Sequence, residues 1–172
     1  EIYESFNCWL ESDDNKNNVI KNWEFVAKKM EINNVENLKL MNQTHSNNVF
    51  FLDEKNKNLN KIKSDSLVTN VNGVALGVLT ADCVPILMYD KQKTIVAAIH
   101  AGWKGAYKGI VTRVVNFFLK NDSSPKNIMA AIGHCISLNS YAVKKDVKQK
   151  VITKDKKDNL IYKKIKNKKN YH

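Results

Sequence analysis

The sequence predicts an α/β fold, on two observations. Apolar residues recur at helical spacing in two places, at Val19, Ile20, Trp23, Val26, Ala27 and Met30 and again at Ile110, Val114, Phe117 and Phe118. Around and between them lie short β-branched or apolar runs broken by turn residues, at positions 66–69, 74–80, 86–89 and 94–99. At 172 residues and 43% hydrophobic, the chain suffices for one globular domain with a real core, and two would be cramped.

Each element follows from local pattern. Asp13 to Asn18 is polar and rich in capping residues, so the first helix starts there and runs for about three turns. Leu38-Lys-Leu-Met41 reads as a short strand leading into Asn42-Gln-Thr-His-Ser46, and Val49 to Leu52 as a second. Asp53 to Lys63 is a charged, asparagine-rich loop. Several of the central runs are apolar throughout, as expected of strands covered on both faces. After Gly105 the period becomes helical until Asn121 to Pro125 end the helix, and Asn127 to Gly133 is a strand delivering His134-Cys-Ile136. Beyond Val143 only Val147, Val151, Ile152, Leu160, Ile161 and Ile165 are spread among lysines. Residues 1–143 therefore read as the domain and 144–172 as a lysine-rich tail, a solvated helix or a disordered segment.

The net charge is +11, and in residues 144–172 twelve lysines and three aspartates give +9 of it. Arg113 is the only arginine, and the tail's aromatics are Tyr162 and Tyr171. Nucleic-acid readers mix arginine forks with stacking aromatics, so a compositional bias explains the lysines better and no specific nucleic-acid partner is expected. No stretch approaches the roughly 20 apolar residues of a membrane span; the longest, Val74 to Tyr89, is broken by Asp82 and Pro85. The opening Glu-Ile-Tyr-Glu lacks the pattern of a signal peptide, which reads as cytoplasmic. The three cysteines, Cys8, Cys83 and Cys135, are a poor disulfide framework. In a reducing compartment they read as core fillers, metal ligands or nucleophiles, with Cys8 structural and His172 a tail residue.

Three places put a metal-capable side chain where a strand ends and the chain turns: His45, Cys83 and His100. Active groups collect at such positions because the sheet fixes the backbone while the loop leaves the side chain accessible. Two imidazoles and a thiolate suit zinc, and three protein ligands leave a fourth position open. Spacing alone leaves two other readings: a buried cysteine with two hydrogen-bonded histidines, or a Cys83–His100 nucleophile pair without metal.

The surrounding motifs go further. Thr80-Ala-Asp-Cys-Val-Pro-Ile-Leu-Met-Tyr-Asp90 followed by Ala98-Ile-His-Ala-Gly-Trp-Lys-Gly105 resembles the laccase-domain family, the YfiH-type polyphenol oxidase or purine nucleoside phosphorylase family. Gln43-Thr-His-Ser46, Asp65-Ser-Leu-Val-Thr69, Ile132-Gly-His-Cys-Ile136 and, near the start, Tyr3-Glu-Ser-Phe-Asn7 fall in the family's order, and the resemblance covers roughly residues 3–143. It implies layered mixed β-sheets flanked by helices, as in the cytotoxic necrotizing factor catalytic domain, and a zinc bound by His45, Cys83 and His100. The implied activities are phosphorolysis of adenosine, inosine and S-methyl-5'-thioadenosine and deamination of adenosine, with purine nucleoside and phosphate as partners. Copper-dependent phenol oxidation is an alternative, against which the chain's four histidines count, since a multicopper oxidase needs many more. A metal-binding relative without turnover is another.

On that resemblance Lys104, where the family more often has arginine, is a candidate to hold phosphate. Gly102 and Gly105 would let backbone N–H groups approach an anion, and Trp103 is a candidate to stack a base. Asp82 is a candidate acid or base. Cys135 stands where the family usually has proline, beside His134, and is a further catalytic candidate. The family's N-terminal strand and C-terminal portion have no counterpart here, so the sequence reads as shortened at both ends.

Overall fold

Asn15 starts the first helix in the computed structural model of the chain, its side chain accepting the Asn17 N–H that the helix leaves unpaired. The structure describes residues 3, 6–59, 62–144, 147, 149–150 and 170–171. The chain forms two compact units, Glu1–Gly133 and His134–His172.

In the first unit α1, Lys16–Lys29, buries Val19 and Ala27. Ile20 and Met30, expected on its apolar face, are exposed. The helix is held along a narrow contact by the segment before it, Asn22 and Trp23 Nε1 each donating at 2.8 Å to the carbonyls of Asn7 and Cys8. A 3-10 turn, Val35–Asn37, leads to β1, Leu38–Lys39, which pairs in parallel with β4, Ala75–Leu76. Both strands are shorter than the apolar runs that predict them. Past Lys39 a side chain continues the pairing: Gln43 Nε2 donates to the Leu79 carbonyl at 2.7 Å and its Oε1 accepts the Leu79 N–H at 2.8 Å.

The main sheet is mixed. It contains β2 (Val49–Leu52), β3 (Ser66–Thr69), β5 (Val84–Asp90), β6 (Val96–Ala101) and β7 (Ile128–Ile132) in the order β2-β3-β6-β5-β7. The β2–β3 pair is parallel and the other pairs are antiparallel. Helical backbone begins at Trp103, before the expected start after Gly105, and forms two helices, α2 (Trp103–Tyr107) and α3 (Ile110–Lys120). Gly109 separates them at φ 78°, in the left-handed region that costs a glycine nothing.

One face of the sheet packs on α3. Ile110, Val114 and Phe118, spaced one turn apart, are buried against Val68, Ile86, Met88 and Ile99. The other face packs Leu52 and Leu67 with Met41, Ile62 and Val71, joined by Val74 and by Leu76 of β4. Two sheets flanked by helices are the α/β architecture that the sequence predicts. Full coverage of both faces holds for β3, which is buried throughout, but not for β5. Leu87 and Tyr89 are 52% and 45% exposed, opposite the likewise exposed Ala131 and Met129 of β7. The second core cluster is built on β2 and β3, and α3 covers only the side that Ile86 and Met88 face.

In the second unit β8, Val143–Lys144, pairs antiparallel with β9, Asn170–Tyr171. Most of the tail read as a solvated helix or disorder, residues 151–169, lies outside the described residues. Among the described residues no helix is long and apolar enough to cross a membrane.

Candidate metal centre

The centre lies within the first unit, and sheet register assembles it. The β5–β6 ladder pairs Val84 with Ala101 and Pro85 with His100, which brings Cys83, just before β5, beside the end of β6. The β3–β6 ladder pairs Ser66 with Ile99, so Asp65 lies against His100. The His100 N–H donates to the Asp65 carbonyl at 2.8 Å, and His100 Nδ1 lies within hydrogen-bond distance of Asp65 Oδ1, at 2.8 Å.

His45 reaches the same point from the turn after β1. Its φ is 55°, left-handed for a residue with a side chain, a conformation that costs about 1–3 kcal/mol unless the surroundings hold it. Asp65 holds it. The N–H groups of Thr44, His45 and Ser46 donate to the carboxylate, the last two at 2.9 and 2.7 Å, and the Thr44 and Ser46 hydroxyls add bonds of 3.1 and 2.6 Å. Successive N–H groups converging from an αL turn make a concave anion site, filled here by the chain's own carboxylate. Burial alone would raise the Asp65 carboxyl, but the bonds from Ser46, His100 and Thr44 outweigh it and bring it down to about 2.

The ligand-capable atoms of His45, Cys83 and His100 lie within 4.8 Å of one another. His45 Nε2 is 3.7 Å from Cys83 Sγ, and the two imidazoles meet edge to face with centroids 4.7 Å apart. Zinc–nitrogen and zinc–sulfur distances of about 2.0–2.3 Å place tetrahedral donors roughly 3.5 Å apart, so the cluster fits such an ion with little movement. Exposure is graded: His100 is buried, Cys83 half-buried and His45 exposed, which opens the centre on one side. Burial pushes the Cys83 thiol up, and the negative charges of Asp82 and Asp65 push it further. A cation at this point supplies the positive charge that lets the thiol release its proton.

Gly102 makes room for the cluster. A Cβ at that position would stand 2.9 Å from His45 Cδ2, 3.2 Å from Cys83 Sγ and 3.7 Å from His100 Cε1. Gly105 serves a second close approach, because a Cβ there would meet the Ser46 carbonyl oxygen at 2.5 Å. Lys104 is exposed, its Nζ 5.8 Å from the ring centroid of the half-buried Trp103. Asp82 is exposed next to Cys83, whose thiol feels its charge. His134 and Cys135 are exposed and belong to the second unit. Asp65 and Gln43 stand inside motifs that the sequence shows, but their roles are not legible there. Their partners are 19–36 positions away in sequence, and the motif order was the only signal pointing to them.

The family described as multi-copper polyphenol oxidoreductase laccase matches the chain over residues 1–172. The chain belongs to this family. Among laccase-domain relatives, a protein of Haemophilus influenzae named purine nucleoside phosphorylase is 32% identical over 160 residues, 93% of this chain and 62% of the relative. A Mycobacterium tuberculosis protein, also named purine nucleoside phosphorylase, is 40% identical over 103 residues, 60% of this chain and 41% of its own length. The YfiH protein of Bacillus licheniformis superposes with a TM-score of 0.89 at 27% identity, over 98% of this chain and 66% of that one. The chain thus spans roughly half the length of the curated relatives it matches.

Proposed function

We propose that the chain is a zinc-dependent purine nucleoside phosphorylase of the cytoplasm, with adenosine deaminase activity at the same site. The convergence of His45, Cys83 and His100 within 4.8 Å on the open side of a buried carboxylate carries this reading. The names of the relatives support the substrate class: purine nucleoside phosphorylase in Haemophilus influenzae, and adenosine deaminase for a relative 36% identical over 120 residues. Zinc suits the donor set better than copper, since a multicopper oxidase needs many more histidines than the four present.

In phosphorolysis, phosphate oxygen forms a bond to ribose C1' as the C1'–N9 bond breaks, so adenosine and phosphate become adenine and ribose 1-phosphate. In deamination, water replaces the C6 amino group, giving inosine and ammonia. When bound, zinc supplies a Lewis acid that lowers the pKa of a coordinated water toward about 7 and polarises oxygen donors. The chain's own groups bind and orient. Lys104 offers phosphate a single point charge rather than a guanidinium fork. Trp103, half-buried beside it, offers an aromatic face to the base. The backbone N–H groups at Gly102 and Gly105 are the candidates to approach the phosphate, and Asp82 is the candidate acid or base for the departing base. Cys135 is a further catalytic candidate, which Cys135→Ser tests.

The deciding assay incubates zinc-loaded chain with adenosine, with and without phosphate. Adenine formed only with phosphate, together with phosphate-independent inosine, is expected, with Lys104→Ala selectively weakening the first product. Neither product from protein that has bound zinc would establish the metal-binding relative without turnover. Phenol oxidation by copper-loaded protein, without either product, would establish the laccase-like alternative.

A further inference from the structure

Asp65 is fully buried between two of the three ligands and takes no part in the open side of the centre. Every group bonded to its carboxylate is a donor. Oδ1 receives the His45 N–H and His100 Nδ1, Oδ2 receives the Ser46 N–H and the Thr44 and Ser46 hydroxyls, and the Thr44 N–H lies 3.2 Å from both oxygens. Only a group that accepts at both oxygens fits this surrounding. An amide in its place would turn an NH2 toward either the Ser46 N–H or the His45 N–H and His100, opposing donor to donor.

We propose that Asp65 is the positioning residue of the metal centre: its carboxylate fixes the His100 proton on Nδ1, leaves Nε2 as the nitrogen free for a cation, and pins the left-handed His45 turn. A neutral imidazole carries its proton on one nitrogen, and the partner of that nitrogen decides which one is left to ligate. Here the same carboxylate also fastens three consecutive N–H groups of the turn presenting the other imidazole. Two ligands that are 55 positions apart in sequence are thereby set together before any cation arrives. The proposal rests on the reading of His45, Cys83 and His100 as the metal ligands.

The test uses the full chain, labelled with nitrogen-15 and treated with chelator. Long-range proton–nitrogen correlations of the His100 ring are expected to show the proton on Nδ1 and a bare Nε2. A proton on Nε2 would overturn the proposal, whether or not metal binds. Failure of the wild-type chain to take up Zn2+ would instead sink the metal reading, so the two failures are separable. A second arm titrates Zn2+ against a chromophoric chelator and records the Co2+ visible spectrum for Asp65→Asn and Thr44→Val. Asp65→Asn is expected to weaken Zn2+ binding roughly tenfold to a hundredfold and to change the Co2+ spectrum. Thr44→Val removes one hydroxyl and leaves the Asp65–His100 contact, so its spectrum should match wild type. A folded Asp65→Asn protein with wild-type affinity and spectrum would reduce Asp65 to a purely structural residue. If that variant does not fold, the tautomer measurement on the wild type decides.

Discussion

Gly102 faces the side chains of His45, Cys83 and His100, and its missing Cβ is what allows them to converge. Gly102→Ala adds a carbon closer to His45 and Cys83 than ordinary packing permits, so the ligands must part. The expected outcome is a folded protein with a large loss of Zn2+ affinity, measured by competition with a chelator. Cys83 makes the same affinity depend on pH. Its thiol is raised by burial and by the charges of Asp82 and Asp65, so binding a cation displaces a proton. Apparent affinity should rise with pH through neutrality, by about tenfold per unit for one displaced proton. Calorimetry in two buffers of different ionisation enthalpy counts that proton. Asp65 is shifted in the opposite direction to Cys83: its carboxyl is lowered from 3.8 to about 2. Its contribution to stability is complete above pH 3.8 and is lost as the pH falls toward 2. Acid unfolding should begin in that window, and Asp65→Asn should flatten it. At this scale the convergence of His45, Cys83 and His100 was legible because each sits in its own motif. Asp65 was not, since its contacts with His45 and His100 arise from strand register rather than from neighbourhood in sequence.

Among the elements, α3 presses on β3, β5 and β6, the strands whose register brings Asp65, Cys83 and His100 together. Phe118 is fully buried against that sheet face, and Phe117 stacks obliquely on Phe51 at 5.0 Å. Phe118→Ala should cost about 3–5 kcal/mol in denaturant unfolding, whereas Leu87→Thr, on the exposed side of β5, should cost below about 0.5 kcal/mol. Equal losses at the two positions would mean that the outer side of β5 is covered. Strand β3 and the apolar stripe of α3 were legible to the residue, because period and β-branching agree there with burial. The runs at 38–41 and 74–80 were overread: the Gln43 side chain, not the backbone, makes the last rung of their pairing. The single helix expected after Gly105 is interrupted at Gly109, a residue that in isolation reads as a tolerated helical glycine.

For the molecule as a whole, a metal held by His45 in the turn after β1, Cys83 just before β5 and His100 within β6 would tie these parts of the fold together in the native state only. A ligand that binds the native but not the unfolded chain stabilises it by mass action. At about a hundredfold excess of Zn2+ over its dissociation constant, removal by chelator should lower the melting midpoint by about 5–10 °C. An unchanged midpoint would mean that the native state gains nothing from the metal. The net charge of +11 says little about partners, because most of it lies in residues 144–172, whereas the centre is built within the first unit. Metal binding by His45, Cys83 and His100 is decided by metal analysis of the wild-type chain beside His45→Ala, Cys83→Ala and His100→Ala. One zinc per chain in the wild type, and well under half of that in each variant, is the expected result. A wild type that retains no metal, or variants that retain as much as the wild type, would contradict it.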